Sequence, residues 1–171
     1  MSYQAEFLMI DDVGLINLRG TGEVIARFEA VLGLAMPTRP NQAALGKDIA
    51  VLSLASDHWW VRTDSCDEQR VFGLLCGAVE NLHAAVTIVS DHFTGFSIVG
   101  EDTRQILRQG ISLNIGCLET GQCTRCGFAR CGATVHVIEQ YQHYDLFVES
   151  SYADYAQLWF QTASGRNRSS D

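Results

Sequence analysis

The chain has one lysine, Lys47, and two prolines, Pro37 and Pro40, in 171 residues. Lys47 lies between Gly46 and Asp48 in a polar stretch, so Schiff-base chemistry and lysine-assisted phosphate binding would rest on it without a supporting motif. Basic residues are scarce as a class: twelve Lys and Arg stand against twenty Asp and Glu, a net charge of −8. That balance repels phosphate backbones and anionic lipid, so neither nucleic acid nor a membrane is an expected partner. No apolar run approaches the roughly 20 residues needed to span a bilayer. The opening MSYQAEFLMIDD lacks the basic region and long apolar core of a secretory leader, and a cytoplasmic setting is expected. G-x-S-x-G, P-loop and G-x-G-x-x-G patterns are absent, as is any H-x-x-x-H pair among His58, His83, His92, His136 and His143.

What is present is a globular composition, 47% hydrophobic and 19% charged, in a chain long enough to bury roughly 70% of its unfolded surface. Val13–Arg19 reads as a buried strand closed by Gly20-Thr21-Gly22, and Val24, Ile25, Phe28, Val31 and Leu32 recur at helical spacing up to Gly33. Residues 35–48 hold both prolines and read as a loop; Ile49–Ala55 and Trp59–Arg62 form a hairpin about Ser56-Asp57-His58. Ser65-Cys66-Asp67-Glu68 has the form of a capping box, which opens a helix running to about Glu80.

Ala84–Val89 is a further apolar run, after which the pattern begins again. Setting Gly100 against Gly20 puts Phe93 on Val13, Phe96 on Ile16 and Ile98 on Leu18, with a helix after each glycine. The second of these opens at Asp102, with Gln105 three residues on as a similar cap. Strands follow near Gly127–Ala129, Thr134–Glu139 and Leu146–Glu149. Ser151-Tyr152-Ala153-Asp154 then opens a last helix, on which Tyr152, Tyr155, Ala156, Trp159, Phe160 and Ala163 make one apolar face. The expected fold is α+β: a single domain over 1–164 with two similar strand-helix-hairpin-helix halves (about 7–82 and 84–164), mostly antiparallel sheets and helices on one face. The tail, 165–171, has no apolar side chain beyond it to pack and is expected to be disordered.

Six cysteines in a reducing compartment are thiols or metal ligands. Cys117, Cys123, Cys126 and Cys131, spaced C-x5-C-x2-C-x4-C, could in number hold a tetrahedral zinc. A structural zinc site usually presents two C-x2-C knuckles, however, and only Cys123 to Cys126 has that spacing. If a strand runs through them, these two point to opposite faces. Burial as small hydrophobes is the competing reading; Cys66 and Cys76 are expected to pack against the core, and His92 to be a hydrogen-bonded structural residue.

The run SDHFTGFSIVGEDTRQILRQGISLNI resembles a segment of the gamma subunit family of heterotetrameric sarcosine oxidase, through Asp91, Phe93, Thr94, Ile98, Gly100, Ile106, Leu107, Gly110, Leu113 and Ile115. Gly121, Cys123, Phe128 and Ala129 fit a later motif in which Cys126 stands where the family has threonine. Asp145, Leu146, Val148, Ser151, Tyr152, Ala153, Tyr155 and Trp159 match the most specific one. The family pattern has serine and then arginine around Asp91-His92, a departure that bears on substrate more than on fold. The resemblance covers 84–163 well and the first half in outline.

The resemblance implies a fold like the folate-binding part of aminomethyltransferases, without their C-terminal domain. It implies a non-catalytic subunit with no cofactor-binding or metal-binding residue of its own. Its partners would be a beta subunit carrying FAD and FMN, an alpha subunit carrying NAD and a tetrahydrofolate site, and a delta subunit holding zinc. The threonine that the family has where this chain has Cys126 cannot be a thiolate ligand, so the resemblance counts against zinc here. Gly116-Cys117-Leu118-Glu119-Thr120-Gly121-Gln122-Cys123 also resembles the signature of stand-alone folate-dependent regulators of iron-sulfur proteins, which leaves a folate-binding alternative beside the zinc one. For a permanent subunit the expected interface aromatics are Trp59 and Trp60, because one of two neighbours in a strand must face away from the local core.

Overall fold

The structure, a computed structural model, describes residues 3–165. In order it comprises β1 (Glu6–Ile10), β2 (Val13–Arg19), α1 (Glu23–Leu32), β3 (Ala43–Leu45), β4 (Ala50–Ala55), β5 (His58–Asp64), α2 (Ser65–Ala78) and β6 (Ala85–Ile88). There follow β7 (Phe93–Val99), α3 (Thr103–Leu107), β8 (Cys123–Phe128), β9 (Cys131–Glu139), β10 (His143–Glu149) and α4 (Ala153–Ala163). The fold class is α+β, as expected. Of the tail expected to be disordered, all but Gly165 lies outside the described residues.

The chain divides into two compact units, one spanning Asp11–Asp91 and the other the chain up to Ile10 together with the part from His92 onward. The first unit's sheet has the order β3-β4-β5-β2-β6 and the second's β8-β9-β10-β7-β1, with every neighbouring pair antiparallel. Element for element the two orders are the same, so the duplication read from Gly20 and Gly100 is present. The matched residues behave alike: Ile16 and Leu18 are buried in the core of one unit, Phe96 and Ile98 in that of the other.

The boundary of the halves differs from the expected 7–82 and 84–164. β6 pairs with β2, Ile16 opposite Ile88, inside the first unit, whereas β1 pairs with β7, Phe7 opposite Ile98, inside the second. Each half's opening strand thus completes the sheet of the other half. Local sequence carries no sign of this, because register is set by partners far apart in the chain.

In the first unit both helices cover one face of the sheet. Val24 and Phe28 of α1 and Val71 and Leu75 of α2 are buried with Ile16, Leu18, Val51, Trp59 and Val61. α1 ends where expected, at Gly33 in the left-handed conformation, whose N–H donates to the carbonyl of Glu29 at 2.9 Å. The capping box expected at Ser65 and Glu68 does not form, since Asp64 is the N-cap residue and no side chain caps the helix. Glu68 is used instead to close the sheet: its carboxylate accepts from the Leu15 N–H at 3.0 Å and from the Ser90 hydroxyl.

The second unit is built about Phe160 on α4, which stacks on Phe7 at 4.6 Å between ring centroids and lies 5.7 Å from Phe96 and 5.2 Å from Phe128. Burying such a ring contributes about 1.5–3 kcal/mol. Ile106 and Leu107 of the short α3 complete the same cluster with Val135, Tyr144 and Leu146. At Asp102 the expected cap is also redirected. Its carboxylate accepts from Gln105 Nε2 at 2.9 Å and from the backbone N–H of Gln4 at 2.8 Å, which fastens the residues entering β1. Among the described residues no helix is long and apolar enough to cross a membrane.

Candidate functional site

The cysteines come out as separate side chains. Cys123 pairs with His136 across β8 and β9 and is fully buried, while Cys126 pairs with Ala133 and packs against the opposite, helix-covered face. The two ends of the C-x2-C therefore point apart, as strand alternation requires. Cys117 is exposed and accepts from Asn114 Nδ2 at 3.1 Å. Burial pushes the Cys126 thiol up to about 11, with the neighbouring Cys131 adding to the rise; burial and then the charge of Glu149 raise Cys131. Thiols held protonated in this way are poor ligands and poor nucleophiles. Among the described residues no three His, Cys, Asp or Glu side chains are grouped so as to hold a metal ion. Cys76 is partly buried in α2, but Cys66 is exposed, which corrects the expectation that it packs: at the second position of the helix it lies off the Val71–Leu75 stripe. His92 is exposed, with its ring edge-on to Phe93 at 4.8 Å.

The structure brings together one constellation that sequence spacing did not single out. His143 and Asp145 alternate onto one face of β10, and Ser97 lies opposite Asp145 on β7. Ser97 Oγ is 2.7 Å from His143 Nε2, and Asp145 Oδ1, on a carboxylate only 2% exposed, is 3.3 Å from the same Nε2. A nucleophilic triad needs the acid on one ring nitrogen and the hydroxyl on the other, so that the imidazole can carry the proton away from the hydroxyl. Here both contacts converge on one nitrogen. The arrangement anchors a polar patch without forming a relay. The H-x-D alternation was legible in the sequence, but its serine partner lies 46 residues away.

Trp59 and Trp60 alternate as expected: Trp59 enters the helix-covered core and donates Nε1–H to the Pro37 carbonyl at 3.1 Å, while Trp60 faces the other side of the sheet. Each is nonetheless only 1% exposed. The inference that one of them offers an open aromatic surface is corrected, since a strand buried on both faces leaves neither side for a partner.

The residues that carry the resemblance are chiefly packing residues. Ile98, Ile106, Leu107, Ile115, Leu146 and Val148 are fully buried in one cluster, and Leu113, Ala153 and Trp159 pack against it. Gly110 is so close to Trp159 that an added Cβ would lie 2.6 Å from its ring.

A duplicated antiparallel α+β scaffold of this kind, lacking a nucleophile–base relay among its described residues, is similar in fold to part of an aminomethyltransferase. Aminomethyltransferase T of the glycine cleavage system from Bartonella henselae superimposes with a TM-score of 0.69 at 11% identity over 94% of this chain, which spans 46% of that protein. The regulatory subunit of aspartate kinase from Thermus thermophilus, ligand free, gives a TM-score of 0.55 at 14% identity, covering 95% of this chain and 97% of that one. A chain of heterotetrameric sarcosine oxidase from Corynebacterium sp. U-96, solved with pyrrole 2-carboxylate, gives 0.89 at 14% identity, covering 98% of this chain and 87% of its own. No curated protein matches the chain. A model of the sarcosine oxidase gamma subunit family matches residues 21–166, and the chain belongs to that family.

Proposed function

We propose that this chain serves as the gamma subunit of a sarcosine-oxidase-type heterotetrameric flavoenzyme, a structural subunit without an active centre of its own. The observation that carries the reading is the family match over residues 21–166, joined to a fold shared with a heterotetrameric sarcosine oxidase over 98% of the chain. The alternatives of a stand-alone folate carrier and a zinc module are not favoured by either finding. In this reading the oxidised substrate is sarcosine or a related N-methyl amine, and the complex works in the cytoplasm. FAD, FMN, NAD, tetrahydrofolate and zinc reside in the alpha, beta and delta subunits. The one-nitrogen histidine contact, which forms no nucleophile–base relay, is in keeping with a structural role.

Co-expression with alpha, beta and delta subunits, followed by size-exclusion chromatography, tests the reading. One copy of the chain per complex is the expected result. A folded monomer that elutes apart from all of those subunits refutes it.

A further inference from the structure

The second unit carries an open cleft of about 680 Å3 between α3 and the β9–β10 turn, bordered by Tyr3, Glu101, Arg104, Gln105, Arg108 and Tyr141. Arg104 and Arg108 stand one helical turn apart, and among the described residues no carboxylate lies within ion-pairing distance of either guanidinium. In a chain of net charge −8 this is a local reversal of sign.

The cleft is also held in shape. The Arg104 guanidinium lies over the Tyr141 ring, 5.3 Å from its centroid, and so close to Gly116 that an added Cβ there would come within 2.7 Å of it. The Tyr141 hydroxyl donates to the Gly116 carbonyl at 3.4 Å. Tyr141 itself has a φ of 69°, a conformation that a bulky side chain rarely adopts. Two fully buried residues fix it there: the Tyr144 hydroxyl accepts from its N–H at 2.8 Å, and the Thr103 hydroxyl donates to its carbonyl at 2.7 Å. A strained aromatic residue pinned from below and presented to solvent beside a fixed guanidinium is a built recognition element rather than a relaxed turn.

We propose that this cleft is the docking site for an acidic segment of a partner subunit, whose carboxylates pair with Arg104 and Arg108 while its backbone lies along the rings of Tyr3 and Tyr141. The proposal rests on the subunit reading above and adds to it a place and a chemistry of contact. Side chains at i and i+4 of a helix are about 5–6 Å apart at Cβ. Carboxylates two residues apart on an extended strand are separated by roughly 6.5 Å, so an acidic-x-acidic stretch fits both guanidinium groups. A small carboxylate fits less well, because such ligands are usually enclosed over 70–90% of their surface, and this cleft is open to solvent along its length. Arginine beside aromatic rings is the composition that interfaces favour.

The test uses the assembled complex. Alpha, beta and delta subunits are co-expressed with the wild-type chain, with R104E/R108E, with the charge-removing R104Q/R108Q, and with R27E, which reverses an exposed arginine on α1. Circular dichroism melts establish that each variant folds. The expected result is that R104E/R108E lowers the affinity of the chain for the other subunits by tenfold or more, R104Q/R108Q lowers it by less, R27E leaves it unchanged, and wild-type affinity falls with added salt more steeply than that of R104Q/R108Q. Wild-type affinity retained by the folded double variants overturns the proposal and leaves the subunit reading standing. A wild-type chain that does not assemble overturns both. Saturable binding of succinate that needs both arginines, with assembly unaffected by their loss, overturns it in favour of a small dicarboxylate.

Discussion

Replacing Gly100 by alanine tests the strand exchange directly. Gly100 has a φ of 131°, outside the range L residues adopt readily, and a Cβ there would lie 2.4 Å from the Gln4 carbonyl oxygen and 2.9 Å from Ala5 Cα. Backbone strain of this kind costs about 1–3 kcal/mol. The clash is with main chain, so it is relieved only by moving the residues that enter β1. That movement breaks the reciprocal pair in which the Gln4 N–H donates to Asp102 Oδ2 and the Asp102 N–H donates to the Gln4 carbonyl. It also exposes Ala5, which is 2% accessible. With about 1 kcal/mol for each hydrogen bond, the total comes to roughly 3–5 kcal/mol. For a chain of this size that corresponds to a fall in Tm on the order of 10 °C.

The matched control is G33A. Gly33 has a φ of 62° with nothing within 4 Å of its virtual Cβ, so only the left-handed penalty of about 1–2 kcal/mol applies. Urea unfolding followed by tryptophan fluorescence gives both values, and amide exchange reports whether Glu6–Ile10 loses protection. Equal destabilisation by G100A and G33A, with β1 still protected, refutes the account of how the exchanged strand is fastened.

Two further outcomes follow from side chains whose roles differ from their sequence-level reading. Glu68→Ala leaves the Leu15 N–H, at the end of the β2–β6 ladder, with only the Ser90 hydroxyl at 2.7 Å, and should cost about 1–2 kcal/mol in urea unfolding; a loss confined to α2 helicity, with β2 amides still protected, would restore the capping-box interpretation. The folded Cys126 thiol titrates at about 11 against an ordinary 9.0, so the unfolded chain releases a proton that the folded one retains. Its contribution is constant below about pH 9 and is lost as pH rises towards 11, because the unfolded state then binds fewer protons. C126A should have a shallower decline in urea midpoint between pH 8 and 11 than the wild type, and parallel curves would show that the thiol is not held protonated by the fold.

Local pattern was enough to find most elements. The stripe from Val24 to Leu32 and the stop at Gly33 gave α1 within a residue, and Val13–Arg19 emerged with its observed bounds. What escaped was set by distant partners. β1 reads as a short apolar run, and its Leu8 and Met9 remain 58% and 46% exposed, because it lies at the edge of a sheet whose neighbouring strand follows some ninety residues later. β3, three residues long and close to Pro37 and Pro40, is too short to show a period. The burial of both Trp59 and Trp60 was illegible for a related reason: alternation says which faces side chains take, and tertiary packing decides whether a face is open. Both expected capping boxes failed similarly, Glu68 and Asp102 having been taken up by backbone amides from other parts of the chain.

The residues that carry the family resemblance say little about chemistry, because they are core residues. A motif assembled from Ile98, Ile106, Leu146 and Val148 specifies how a chain packs, whereas function has to be argued from the groups that reach solvent or substrate. In this chain those groups favour recognition over reaction. A histidine that meets a hydroxyl and a carboxylate through one nitrogen is not arranged to relay a proton from one to the other, and burial raises the Cys126 thiol, which makes it a poor nucleophile. Arg104, by contrast, packs against the Tyr141 ring and Gly116 without an ion-pairing carboxylate among the described residues. An acidic chain gains little stability by presenting two guanidinium groups without ion-pairing carboxylates in one cleft, beside a Tyr141 held at a φ of 69°. That arrangement is intelligible if the neutralising charge comes from another subunit, which makes the cleft the feature of this chain most directly tied to assembly.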